Sequence, residues 1–162
     1  MTQHLPRVLA TLLFTLLLVP VFQPEARAAG QPMIVIVGIA NPLKDASAGM
    51  LRRAFQNEGQ EYATGKRLIP INQPPGSPAR EQFDRAVLGL KPDEIGRFWI
   101  DRRIRAQGGP PKTVPSSDLA VRLVMALPGA IAYVTADLLN DKVRALTIEG
   151  KAAGAVGYLL EQ

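Results

Sequence analysis

The chain has 162 residues, a formal net charge of +5 and no cysteine, and its one histidine is His4. The lack of thiols excludes disulfides, a cysteine nucleophile, thiolate metal sites and a lipid-modified cysteine. With histidine confined to position 4, Ser-His-Asp catalysis and most transition-metal sites are excluded from the rest of the chain.

Met1 to Arg7 is polar with one positive charge, Val8 to Phe22 is almost wholly apolar, and Ala26-Arg27-Ala28 follows. Basic, apolar and small-residue regions in that order predict a signal peptide over residues 1–28, cleaved after Ala28. The alternative is an uncleaved anchor. The apolar run argues against it, because a span needs roughly 20 apolar residues and Pro20 interrupts this one. The expected mature domain, residues 29–162, has no stable membrane span and keeps about +4 of charge. Its basic residues are too scattered to predict a nucleic-acid partner, and Asp101 to Arg105 is read as a solvated helix face. An exported, untethered protein of this kind is expected in the periplasm.

Met33 to Val37 is a β-branched apolar run, the pattern of a strand buried on both faces. Asn41-Pro42 marks a turn, and Ser47 caps a helix with Met50, Leu51, Ala54 and Phe55 on one stripe. Residues 57–66 are polar and predict a loop. Residues 68–71 predict a second strand, whose Pro70 suggests an edge strand or a strand end. Ser77-Pro78 opens a helix with Ala79, Phe83, Ala86 and Val87 inward, and Gly89 ends it. A third helix starts at Pro92-Asp93-Glu94, is anchored by Ile95, Phe98 and Trp99, and stops at Gly108-Gly109-Pro110-Pro111. Ser116 or Ser117 caps a fourth, with Leu119, Leu123, Val124 and Leu127 inward. Residues 130–134 and 143–148 predict two more strands, and the tail carries no clear pattern. Alternating strands and helices predict an α/β domain with a mainly parallel sheet flanked by helices.

Little catalytic chemistry remains. Asp93-Glu94 is a carboxylate pair, but acids are expected at a helix start. Neither a G-x-G-x-x-G nor a Walker phosphate loop is present. An enzyme is therefore not expected, and no cofactor is implied. The most suggestive segment is Pro75-Gly76-Ser77-Pro78-Ala79-Arg80. A strand feeding a glycine turn and a helix start aims backbone N–H groups at one point, where Gly76, Ser77 and Arg80 could hold an oxyanion. A plain cap at Ser77 and a solvated Arg80 explain the same residues more simply. Asn41 and Ser116 join the candidate set if their element ends lie on the same side of the sheet.

The ordered segments MIVIVGIANP, LRRAFQNEG, LIPINQPPGSPAREQFDRAVLG, FWIDRRIRAQGGPPKTV, LPGAIAYV and VRALTIEGKAAGAVGYLL resemble the substrate-binding proteins of ABC phosphate transporters. The likeness is closest to short, single-lobe relatives of these proteins. The resemblance implies a periplasmic-binding-protein-like lobe, capture of phosphate or a similar oxyanion, and a transporter or envelope protein as partner. It also implies a serine-glycine-threonine helix start with an arginine upstream. Here Gly76 and Ser77 match, while Pro78 and Ala79 replace the glycine and threonine and Gln73 stands near the expected arginine. One lobe supplies only half of an enclosing cleft. The second reading is accordingly an envelope interaction module that has lost its ligand.

Overall fold

A computed structural model describes residues 32–161; the signal-peptide expectation for residues 1–28 lies outside them. In chain order the described residues form β1 (Met33–Gly38), β2 (Asp45–Ala46), α1 (Ala48–Phe55), β3 (Glu61–Ala63), β4 (Lys66–Arg67) and β5 (Ile69–Asn72). Then come α2 (Pro78–Phe83), α3 (Pro92–Ile104), β6 (Lys112–Thr113), α4 (Ser117–Ala126), β7 (Ala130–Thr135), β8 (Val143–Ala145) and β9 (Thr147–Ile148). Helix α2 continues as a π-helical turn, Asp84–Leu88, and a 3-10 turn, Ala136–Leu138, follows β7.

Five strands form the main sheet in the order β6-β5-β7-β1-β8. Strand β5 is parallel to β6 and β7, whereas β1 is antiparallel to both β7 and β8. The sheet is thus mainly parallel, and β1 alone among its strands is reversed. Burial on both faces gives the same unbroken apolar run whichever way a strand points, so sequence could not reveal this reversal.

The two faces build separate cores from alternate residues. Met33, Val35, Val37, Ile131 and Tyr133 pack against Leu51 and Phe55 of α1 and Phe83 of α2. Ile34, Ile36, Ala130, Ala132 and Val134 pack against Ala120, Val121 and Val124 of α4. The small Ala130 and Ala132 let α4 lie close to the sheet. Leu127, expected inward, is the extended cap residue after α4 and is exposed. The expected Val124, Leu119 and Leu123 do face this core, the two leucines partly buried, and Ala120 and Val121 join them.

Pro70 belongs to an inner strand, but β6 pairs only with Ile71 and Asn72, beyond it. Ile69 donates its N–H to Gly129 O at 2.7 Å on the β7 side. The alternating Pro70 nitrogen therefore faces the side where pairing has not begun, and no ladder bond is lost. Part of the expected loop at 57–66 is the β3–β4 hairpin. The expected strand over 143–148 divides at Leu146: β8 joins the main sheet and β9 pairs with β2. The tail is held by Tyr158 and Leu160, both buried. The Tyr158 hydroxyl accepts from Val35 N and donates to Leu146 O, bridging the sheet where β1 and β8 part.

Gly129 precedes β7 under the hairpin, where a Cβ would lie 2.4 Å from the backbone oxygen of Arg67. Backbone cannot swing aside as a side-chain tip can, so Gly129→Ala is expected to destabilise by about 1–3 kcal/mol or more. Urea unfolding measures this; an unchanged midpoint would contradict the close approach.

Candidate functional site

At the C-terminal ends of β5 and β7 the chain leaves in opposite directions, from β5 towards β6 and from β7 towards β8. Such a divergence opens a crevice at the edge of an α/β sheet. Helices α2 and α4 begin at this edge on opposite faces, after Ser77 and Ser116, and the 3-10 turn begins there after Thr135.

Beneath the edge lies a buried polar cluster. The Tyr133 hydroxyl donates to Asn72 Oδ1 at 2.6 Å and accepts from Gln73 N at 3.2 Å. The Gln73 side chain donates to Ser117 Oγ at 3.0 Å and to Tyr133 O at 3.3 Å. This ties the end of β5 to the first turn of α4. Arg80 Nε meets Asp84 Oδ2 at 2.6 Å, and Arg80 Nη1 donates to Gln73 O at 3.3 Å. Phe83 stacks on the Tyr133 ring with centroids 3.9 Å apart. Burial pushes the Tyr133 phenol far above its ordinary range. Burial also raises the Asp84 carboxyl, with the adjacent Arg80 charge pulling the other way.

Gly76 has a φ of +78° in the turn from Pro74 to Ser77, closed by Ser77 N to Pro74 O at 3.2 Å. Proline second and a positive-φ glycine third is the pattern of a type II turn. Ser77 Oγ donates to Pro74 O at 2.8 Å and accepts from Arg80 N at 3.3 Å. Ser116 Oγ accepts from Leu119 N at 3.3 Å. Both serines are therefore helix caps. Pro78 has no N–H and Arg80 N is capped, so Ala79 is the one free first-turn amide of α2. Helix α4 adds the amides of Ser117 and Asp118, with the Asp118 carboxylate in the same turn.

The structure thus brings Gly76, Ser77, Ser116 and Arg80 to one edge, but Arg80 is only 3% exposed and its guanidinium is turned inward onto Asp84. It is neither solvated nor presented to a ligand. Asn41 is not part of this edge. Because β1 is reversed, its C-terminal end lies beside the start of β7, where Asn41 Nδ2 donates to Pro128 O at 3.2 Å and Asn41 Oδ1 accepts from Leu43 N at 2.9 Å. Sequence alone does not single out Asn72, Tyr133 or Asp84 as members of this cluster. The four-residue spacing of Arg80 and Asp84 on one helix was a usable signal for their pairing.

No protein-family model matches the chain, and no curated protein matches it in sequence. Solved structures do match. An ABC-type phosphate transport receptor from Vibrio cholerae superposes with a TM-score of 0.59 at 14% identity, over 75% of this chain and 48% of that one. A Clostridium perfringens protein with bound phosphate, assigned as a phosphate ABC transporter substrate-binding protein, gives 0.61 at 19% identity, over 75% and 46%. PstS from Borrelia burgdorferi gives 0.56 at 15% identity, over 74% and 48%. The fold is that of a periplasmic-binding-protein-like lobe, and the chain spans about half the length of these proteins. Among the described residues no helix is long and apolar enough to cross a membrane.

The Arg80–Asp84 pair gives a signed pH prediction. A carboxyl raised above its ordinary 3.8 by burial binds its proton more tightly in the folded state than in the unfolded chain. It disfavours folding above the raised value, and the penalty fades as pH falls through it. Arg80→Met removes the opposing charge, so the variant is expected to lose about 3–5 kcal/mol at neutral pH. Its deficit relative to the parent should shrink as the medium is made acid. Urea midpoints across the acid range check this; a deficit that stays constant or grows contradicts the pairing.

Proposed function

We propose that this protein is a periplasmic oxyanion-binding lobe of the phosphate-transport type, with the anion held at the edge between α2 and α4. The observation that carries this is the convergence of the two helix starts, stitched by Gln73 to Ser117 Oγ. Helix α2 directs the Ala79 amide, and α4 the amides of Ser117 and Asp118, towards the crevice, each with the positive end of its helix dipole. The similar Clostridium perfringens structure with bound phosphate supports the ligand class. The export pattern at the N-terminus supports the compartment, and the ABC-transport proteins of like fold support a transporter as partner.

Affinity should be modest. Arg80 is committed to Asp84, Pro78 removes a donor, and Asp118 places a like charge beside the anion. Neutral amides alone correspond to about millimolar binding, weakened further by salt.

Calorimetric titration with phosphate and then sulfate, at low and moderate salt, tests the proposal. Saturable binding is expected, tightened by about two- to fivefold in Asp118→Asn. Absence of binding at about 10 mM phosphate would overturn it. The interaction-module reading would then take its place, with capture of an envelope protein as its next test.

A further inference from the structure

At the opposite edge of the sheet, beyond the C-terminal end of β1 and the end of α4, lies a cavity of about 550 Å³. That volume is within the range of small-molecule sites. Its walls are Ile39, Ala40, Val124, Met125, Ala126 and Pro128. Ile39 and Met125 are 55% and 40% exposed, so they present apolar surface to whatever enters.

The walls are fixed by interactions independent of any ligand. Both polar ends of the Asn41 amide are engaged within its own loop and with Pro128. The Arg144 guanidinium donates to Asn41 O and to Leu43 O, clamping the segment that carries Ile39. Across the cavity a Cβ on Gly38 would lie 2.9 Å from Val124 O, so β1 and the last turn of α4 are in close contact. A preformed apolar pocket binds without first spending energy on ordering itself.

Its charge is one-sided. Arg122 and Lys142 line it, no carboxylate does, and neither cation forms an ion pair among the described residues. Both are exposed, so their charges stand at the rim. The inner wall includes the carbonyl end of α4, whose partial negative charge opposes burying an anion deeply. Apolar depth, a negative inner helix end and a cationic rim together specify the occupant. We infer that this cavity binds a small amphipathic carboxylate, its hydrocarbon body inside and its carboxylate at Arg122 and Lys142.

Octanoate is the probe, added to the purified protein and followed by two-dimensional NMR of the backbone amides. Saturable shifts are expected at Ile39, Ala40, Met125 and Ala126. The Arg122→Ala/Lys142→Ala double variant should bind about tenfold more weakly. Acetate lacks the body and 1-octanol the charge, and each should bind at least about tenfold more weakly than octanoate. Ala126→Trp, at an exposed wall position, should fill the space and abolish binding. Phosphate should leave these four amides unmoved, which separates this site from the α2–α4 edge. The inference is overturned if octanoate shifts do not saturate, if they map elsewhere, or if the double variant and Ala126→Trp bind as the parent does.

Discussion

The structure turns on the buried contact between the Arg80 guanidinium, the Asp84 carboxylate and the backbone oxygen of Gln73. Two charges removed from water are tolerable only when each finds a partner. Here the pairing fixes the first turns of α2 against the end of β5. Gln73 then extends the constraint to α4 through Ser117, and the Tyr133 hydroxyl joins the Gln73 amide to Asn72. Phe83 on the Tyr133 ring closes the cluster with apolar surface. Geometry at the sheet edge is therefore set from below, by groups that no ligand needs to touch.

The anion site proposed above would therefore draw its shape from these groups and not from Arg80. In a helix-start site the dipole and amides come with the fold, while a guanidinium must be placed separately. Arg80 is placed, but inward, where it holds structure. Selectivity at such an edge would rest on amide geometry and on the repulsion from Asp118. Arg122 and Lys142, which form no ion pair among the described residues, line the cavity at the other end of the sheet. The two ends of the lobe thus differ in kind: polar amides and caps at one, an apolar pocket with a basic rim at the other.

Much of the scaffold was legible in the sequence. The apolar runs at β1 and β7, the caps at Ser47, Ser77 and Ser116, and the stop at Gly89 are local signals, and local chemistry decides them. The direction of β1 was not legible, because a strand covered on both faces looks the same either way. That reversal is what carried Asn41 to the wrong edge. The two-residue strands β2, β4 and β6 are not legible either, since so short an element has no periodicity to detect. The fate of Arg80 was hidden for a different reason. An arginine one turn into a helix can face solvent, a ligand or a carboxylate, and only the packing of Phe83 and Tyr133 settles which.

Backbone amide exchange in Tyr133→Phe, compared with the parent, tests most directly whether the buried cluster organises the edge. The hydroxyl is the sole group lost, and the ring can stay on Phe83. The account predicts faster exchange at Gln73, at Arg80 and Glu81 in α2, and at Leu119 and Ala120 in α4, with the β1 amides from Ile34 to Val37 unchanged. Unaltered protection at both helix starts would contradict it, because the two ends of the edge would then be held independently of the cluster.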